Sequence, residues 1–282
     1  MTEPVQAWTL PRRASTSHGE IAFDVLGDGP PVVLVHGTPA SSYLWRRVGP
    51  RLAEHNQVYV FDLPGFGASE RHLGQELGIR VHARVLRELV AQWQLDRPVL
   101  VGHDIGGAVV LRAHLLEGVP VRGLGLLDAV ALAPWITPAS QHIRAHLDAY
   151  STMPNQVWTE VTGAHLRRTV SHPMSERDYH RLFDQWAGPA GQALWLQNVS
   201  QHDEQHTADF EDLLPAISVP TLIIWGAEDK WLDPERSAEL QRRIPGAERV
   251  LVAGAGHFVM EDRPDEVAEL LAKFLATPPA DR

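Results

Sequence analysis

The 282-residue chain contains no cysteine, which excludes a disulfide bond, a thiol nucleophile and a zinc-thiolate site. It also lacks an excess of basic residues: the formal net charge is −10, and a nucleic-acid backbone binds to a basic face. No run of ~18 apolar residues is present to cross a membrane, and residues 1–17 lack the apolar core of a secretion signal. We therefore expect a cytoplasmic protein with neither a nucleic-acid nor a membrane partner.

The composition that remains is that of an ordinary globular protein, with 44% hydrophobic and 21% charged residues. Strand-like apolar segments are predicted at 21–26, 32–35, 58–61, 99–101, 121–127, 220–225 and 248–252. Helical patterns are predicted at 41–54, 75–94, 108–116, 234–244 and 264–276. Residues 1–19 are polar and predict a loose lead-in with at most one edge strand. Strands that alternate with helices predict an α/β fold with a mostly parallel central sheet.

The alternation stops between residues 130 and 213, where no good strand is found. This stretch contains five prolines and four tryptophans, namely Trp135, Trp158, Trp186 and Trp195. Ligands of an open parallel sheet bind beyond the carboxyl ends of its strands, so an insertion at that edge would roof the site. We predict a core formed by residues 1–129 and 214–282, and a helical cap, or lid, formed by residues 130–213.

The segment Val99–Gly107 carries the clearest chemical signal, because a buried strand turns directly into a helix through Gly-His-Asp-Ile-Gly-Gly. This pattern is typical of a nucleophile elbow, on which the middle residue projects above the sheet. The middle residue is Asp104, where most such elbows carry Ser; the plainer alternative is that Asp104 only caps the helix. A carboxylate with a reference pKa of ~3.9 needs no base before it attacks. Attack of this carboxylate on an sp3 carbon would give an alkyl-enzyme ester. Such an attack needs a carbon whose bond to the leaving atom is strained or activated, so epoxide C–O and C–halogen bonds are the expected targets.

Two further polar residues follow predicted strands at the same edge of the sheet. Asp229 comes after the strand at 220–225, and His257 comes after the last predicted strand. Asp104, Asp229 and His257 therefore stand in the order nucleophile, acid, histidine, which is the order of an α/β-hydrolase triad. Asp128 also ends a strand and is the alternative acid.

With these residues the chain resembles the α/β-hydrolase family over about residues 20–276. More narrowly, it resembles the branch with an aspartate nucleophile, which contains epoxide hydrolases and haloalkane and haloacetate dehalogenases. The matching segments are His36-Gly37-Thr38-Pro39, Asp62-Leu63-Pro64-Gly65-Phe66-Gly67, Gly102–Gly107, Trp225–Asp229 and Gly256-His257.

The resemblance implies an α/β-hydrolase fold, with helices flanking the sheet and a helical lid inserted after strand 6. It also implies an oxyanion hole formed by the backbone N–H groups of Thr38 and Ile105. In such a site His257, oriented by Asp229, activates the water that hydrolyses the ester.

The reaction subtype stays open between epoxide opening and halide release. The resemblance to epoxide hydrolases implies a pair of lid tyrosines that protonate the leaving oxygen. Tyr150 has the spacing of the first, and Tyr179 is the only other tyrosine of the insertion. Haloalkane dehalogenases carry Trp directly after the nucleophile, where this chain has Ile105, and Arg112 is remote for the carboxylate-binding Arg of haloacetate dehalogenases. An epoxide hydrolase is the favoured hypothesis and a dehalogenase the alternative. A third is a ligand-binding pocket, or a cofactor-free lyase or cyclase.

We expect a small-molecule substrate, no cofactor and no metal, and the sequence leaves a monomer and a homodimer equally open. The predicted substrate pocket is lined by His36, His103, Trp135 and Trp158. The pair His202 and His206 has the i, i+4 spacing of a zinc-binding helix, but the Glu that should follow the first His is Asp203. We interpret this segment as a solvated polar face.

Overall fold

The computed structural model describes residues 8–276, so residues 1–7 and 277–282 of the predicted core lie outside the described part. The strands are β1 (Arg12–Thr16), β2 (Gly19–Leu26), β3 (Pro31–Val35), β4 (Gln57–Phe61), β5 (Val99–His103), β6 (Gly123–Leu127), β7 (Thr221–Gly226) and β8 (Glu248–Val252). They form one sheet in the order β1-β2-β4-β3-β5-β6-β7-β8. β2 pairs antiparallel with β1 and with β4, and all other neighbouring strands are parallel. The predicted fold class is confirmed.

The central strands are continuous apolar runs because both faces of the sheet are covered. All five residues of β5 and all five of β6 are buried. β5 lies between β3 and β6, so its carboxyl end opens at the middle of one edge of the sheet. Each fully buried large apolar side chain contributes ~1.5–3 kcal/mol, so these strands add substantially to the stability of the sheet.

Twelve α-helices lie within residues 8–276: α1 (Gly49–Leu52), α2 (Ile79–Gln92), α3 (Ile105–Leu115), α4 (Pro138–Ala145), α5 (Leu147–Ser151), α6 (Asn155–Leu166), α7 (Glu176–Phe183), α8 (Gly188–Ser200), α9 (Gln205–Glu211), α10 (Glu235–Arg243), α11 (Val259–Asp262) and α12 (Pro264–Ala276). α3 packs against β5 and α2. The six helices α4 to α9, called the inserted helices below, all lie between β6 and β7. The division into core and cap at residues 130 and 213 stays a prediction. None of the described helices combines the length and the apolar character needed to cross a bilayer.

The prediction of one continuous helix at residues 41–54 is wrong. The segment folds as a 3-10 turn over Ser42–Trp45 followed by the single turn of α1. Pro50 stands in the first turn of α1, and because it has no backbone N–H it cannot donate to the carbonyl four residues earlier, which favours a new helix start there over one continuous helix. Leu44 and Leu52 are nevertheless buried, so the apolar positions that suggested a helix still face the core.

Candidate active site

Asp104 stands between β5 and α3 with φ 52° and ψ −125°. This backbone conformation is costly for an L-residue and persists only where the surroundings enforce it. The surroundings are glycines that allow close packing: a Cβ on Gly102 would collide with the backbone of Gly106, and one on Gly106 would collide with the carbonyl of Val35. The small residues of the predicted elbow are therefore needed to hold Asp104 at the edge of the sheet.

The two predicted oxyanion donors meet on the Asp104 carboxylate. Oδ2 of Asp104 accepts a 2.8 Å hydrogen bond from the backbone N–H of Thr38, and the backbone N–H of Ile105 also bonds to this carboxylate. A side chain at Gly37 would collide with Asp104, so glycine is required for this approach. Burial acts to raise the pKa of Asp104, but the hydrogen bond and the charge of His257 outweigh it and hold that pKa below its usual value. Asp104 is therefore ionised at neutral pH.

His257 lies between two carboxylates. Its Nδ1–H donates a 2.9 Å hydrogen bond to Oδ2 of Asp229, and its Nε2 lies 3.6 Å from Oδ1 of Asp104. Oδ1 of Asp229 accepts hydrogen bonds from the backbone N–H groups of Trp231 and Leu232, at 2.7 and 3.0 Å, which fix the acid. Burial acts to lower the pKa of His257, but Asp229 and Asp104 outweigh it and hold the pKa well above its usual value. The structure thus brings together all three residues of the predicted triad.

Asp128, the alternative acid, is engaged elsewhere. Its Oδ1 accepts a 2.7 Å hydrogen bond from the backbone N–H of Gly226, and its Oδ2 has no hydrogen-bond partner within residues 8–276. Burial, and then the charge of Asp229, raise the pKa of Asp128 well above its usual value. Of the two candidate acids, Asp229 is the one hydrogen-bonded to His257.

Comparison with known proteins agrees with this geometry, since residues 30–264 match the family described as the alpha/beta hydrolase fold. The chain belongs to the α/β-hydrolase family. A solved α/β-hydrolase fold protein from Burkholderia ambifaria is 33% identical and covers 95% of this chain and 99% of its own, with a TM-score of 0.91. Haloalkane dehalogenase 2 from Mycobacterium tuberculosis is 29% identical over 263 residues, which are 90% of each chain. The structure of the epoxide hydrolase CorEH is 25% identical and covers 94% of this chain and 98% of its own, with a TM-score of 0.75. These relatives fit the aspartate-nucleophile branch.

Asp128→Asn should stabilise this α/β-hydrolase, and the gain should grow with pH. The pKa of the Asp128 carboxyl is higher in the folded chain than its unfolded value of ~3.9, so stability falls as pH rises between the two values, by at most about 1.4 kcal/mol per pH unit. Asn retains an acceptor for Gly226 but cannot ionise. Denaturant unfolding at about pH 4 and about pH 7 measures the free energy of unfolding of both proteins. A difference that stays constant or shrinks as pH rises would contradict this account of Asp128.

The imidazole of His257 belongs to a stack of three rings. The ring of Trp231 stacks on His257 with centroids 5.3 Å apart, and His165 of α6 stacks on Trp231 with centroids 4.5 Å apart. The Nε2–H of His103 donates a 2.9 Å hydrogen bond to the carbonyl of His257. Sequence reasoning missed Trp231 and His165. The only available signal was that Trp231 follows Asp229 by two residues.

His36 and His103, which were predicted to line the substrate pocket of the hydrolase, lie beneath it and are completely buried. Nε2 of His36 accepts a 2.9 Å hydrogen bond from the backbone N–H of Leu63, and its Nδ1–H donates to the carbonyl of Gly37 at 3.0 Å. Burial lowers the pKa of His103 to about 3, so it is neutral. Both imidazoles brace the loops that carry the site, and neither lines the cavity at Asp104.

Cavities of the described residues lie at Asp104 and among the inserted helices, and a further one of about 10 Å³ borders Trp135 and His202. The first, at Asp104, has a volume of about 30 Å³, which is room for about one water-sized group. Its wall includes Trp135, as predicted, together with Thr38, Ile105 and His202. The second cavity, of about 410 Å³, lies among the inserted helices. Its lining includes His142, Ile143, Tyr150, Trp158, His165 and Trp195.

The remaining candidates of the insertion do not reach Asp104. Trp158 and Tyr150 line the second cavity and not the first. Tyr179 lines neither: its ring packs against Phe183, with the guanidinium of Arg167 over its face at 4.0 Å. The face that each helix turns inward depends on how the inserted helices pack together, which sequence spacing does not encode.

The interpretation of the segment from His202 to His206 as a solvated polar face is wrong for His202. Its ring packs against Trp135 with centroids 5.5 Å apart, its Nε2 is buried, and the residue lines the first cavity. Burial lowers the pKa of His202 to about 4, although the charge of Asp104 acts to raise it. A neutral imidazole therefore faces the site of the hydrolase.

Proposed function

We propose that this α/β-hydrolase cleaves the bond between an sp3 carbon and a leaving oxygen or halogen, through an alkyl ester on Asp104. The observation that carries the proposal is an ionised carboxylate on the elbow, with Oδ2 bonded to the N–H of Thr38 and Oδ1 directed towards His257. Oδ1 attacks the carbon, the bond to the leaving atom breaks, and the electron pair departs with that atom. A carboxylate needs no base for this first step.

The second step returns the enzyme to its starting state. Water attacks the carbonyl carbon of the Asp104 ester and gives a proton to Nε2 of His257, whose opposite nitrogen is held by Asp229. Negative charge develops on Oδ2, to which the N–H of Thr38 donates, and the N–H of Ile105 bonds to the same carboxyl group; each such donor contributes ~2.7–4 kcal/mol. Collapse expels the product alkoxide, which takes up a proton, and leaves the oxygen of the water on Asp104.

Two substrate classes fit this chemistry. An epoxide, giving a diol, is favoured by the His-Gly-Thr-Pro loop that resembles epoxide hydrolases and by the similarity to CorEH. A haloalkane, giving an alcohol and a halide ion, is favoured by the 29% identity to haloalkane dehalogenase 2 and by the indole of Trp135 beside Asp104. The cavity at Asp104 has room only for the reacting group, and Ile105, Val130 and Leu232 give it an apolar wall. We therefore expect an apolar substrate.

A substrate panel tests this function: epoxides, haloalkanes, haloacids and aryl esters, with diol, halide and phenol readouts. We expect turnover of at least one epoxide or organohalide, and aryl-ester hydrolysis no faster than that of the Asp104→Asn variant. Aryl-ester turnover that depends on Asp104, with no activity on the other classes, would contradict the proposal. Binding without any turnover would favour the ligand-binding alternative.

The two steps should respond differently to pH. Formation of the ester needs only ionised Asp104 and should be flat across the neutral range. Esterification removes the charge of Asp104, one of the two carboxylates that raise the pKa of His257, so that pKa falls in the intermediate. Below the lowered pKa the imidazole is protonated and cannot accept a proton, and hydrolysis should slow about tenfold per pH unit. Rapid quenching followed by intact-protein mass measures both steps, and ester accumulation that increases towards high pH would contradict this assignment.

A further inference from the structure

Trp135 and His202, which both line the cavity at Asp104, each have a buried ring nitrogen without a hydrogen-bond partner within the described residues. The two atoms are Nε1 of Trp135 and Nε2 of His202. A buried polar atom without a partner costs about 1–3 kcal/mol, and a substrate atom that accepts a hydrogen bond from it would remove that cost. Trp231, which lines the same cavity, also has a buried Nε1 without a partner, and its ring is stacked between the rings of His257 and His165.

The electrostatics of the pair suit a developing anion. His202 is neutral at pH 7 because burial lowers its pKa to about 4, so one of its nitrogens carries the proton and can donate it in a hydrogen bond. The indole of Trp135 can only donate. A positively charged donor would form an ion pair with the carboxylate of Asp104. Neutral donors do not, so they leave that carboxylate free to attack. A neutral imidazole can still stabilise negative charge as a donor, as in triosephosphate isomerase, where the lowered pKa of the histidine has the same effect.

We propose that Nε2–H of His202 and Nε1–H of Trp135 bind the leaving atom, a halide or an epoxide oxygen, as its bond to carbon breaks. The inference rests on the proposed function and adds the group that stabilises its leaving atom. His202 and Trp135 line the small cavity together with Asp104 and the residues of the two backbone donors, Thr38 and Ile105. The electron pair of the bond between carbon and the leaving atom moves to the leaving atom. The two N–H groups then donate hydrogen bonds to the negative charge on that atom. Neither donor gives up its proton, so an epoxide alkoxide takes its proton from solvent.

The test isolates the first step in the His257→Gln background, where the ester should accumulate. Intact-protein mass follows adduct formation with an alkyl chloride, the matching alkyl bromide and the matching terminal epoxide. His202→Leu, which has no donor, should slow adduct formation by about 10²–10³-fold, the effect of losing one donor of an oxyanion hole. The loss should be larger for the chloride than for the bromide, because the poorer leaving group depends more on stabilisation. His202→Gln, which retains an N–H at a similar reach, should recover most of the rate, and Trp135→Phe should repeat the loss.

The controls separate this role from a structural one. With His257 present, hydrolysis of the preformed ester should be unchanged in His202→Leu. The matched control is His180→Leu, an exposed histidine of α7, which should react at the parent rate with all three substrates. An unchanged rate in His202→Leu, or equal slowing of both steps without preference between chloride and bromide, would overturn the inference. So would a loss of the epoxide reaction in Tyr150→Phe but not in His202→Leu. If the parent His257→Gln protein forms no adduct with any substrate, the proposed function itself fails.

Discussion

The His257→Gln variant should hold one substrate molecule covalently on Asp104 and release almost no product. The carboxylate of Asp104 attacks without a base, so loss of the imidazole leaves the first step available. The ester must then be attacked by water, and Nε2 of His257, which lies 3.6 Å from Oδ1 of Asp104, is placed to accept the proton of that water. Turnover should fall by about 10²–10⁴-fold, the usual contribution of a positioned base. Intact-protein mass should show the enzyme plus one substrate.

A matched control exists on the surface of the inserted helices. His180 lies 2.9 Å from Asp184, the same distance that joins His257 to Asp229, but this pair is exposed and lies outside both cavities. His180→Gln should therefore turn over at the wild-type rate and accumulate no adduct. An unmodified His257→Gln protein, after long incubation with a substrate that the wild type consumes, would show that the imidazole is needed in the first step. That outcome is typical of a serine-type mechanism, in which the nucleophile depends on the histidine.

Asp104→Asn should abolish both turnover and adduct formation. The amide has nearly the same shape, and its oxygen can still accept from the N–H of Thr38, but it carries no charge and is a poor nucleophile. Loss of the nucleophile should lower turnover by about 10⁴-fold or more. Removing one of the two carboxylates beside His257 should also lower the pKa of that imidazole, because the charge of Asp104 helps to raise it. NMR titration of the imidazole would detect this change without any substrate.

Asp128→Asn is the control for that substitution. Asp128 is also buried at the end of a parallel strand, and its φ of 40° is also positive, yet it is bonded to Gly226 and not to His257. Asp128→Asn should therefore turn over within a few-fold of wild type. A comparable loss in both variants would mean that buried charge at this edge, and not nucleophilic attack by Asp104, limits the reaction.

The elbow and the triad could be predicted because local sequence determines them. A buried strand, a turn crowded by Gly102 and Gly106, and a helix start fix the position of Asp104 without reference to distant residues. Asp229 and His257 follow neighbouring parallel strands, and the carboxyl ends of such strands meet at one edge. Their meeting therefore follows from strand order alone.

The pocket could not be predicted in the same way, because it depends on how the inserted helices pack. Tyr150 had suitable spacing from Asp104, but its helix places it on the larger cavity. His202 stands among polar residues and suggested an exposed face, yet the short connection between α8 and α9 brings it against Trp135. His36 was assigned to the pocket because its loop matches a motif, but its ring nitrogens bond to backbone groups below the surface.

A single turnover in oxygen-18 water, with enzyme in excess over substrate, tests the covalent mechanism most directly. Water attacks the carbonyl carbon of the ester, so its oxygen should remain on the side chain of Asp104, and the product should carry the unlabelled oxygen that formed the ester. Mass spectrometry of the peptide that contains Asp104 should therefore show the label, with none in the product of the first turnover. Label in the product and none in that peptide would mean that water attacks the substrate directly, and would contradict the alkyl-enzyme intermediate.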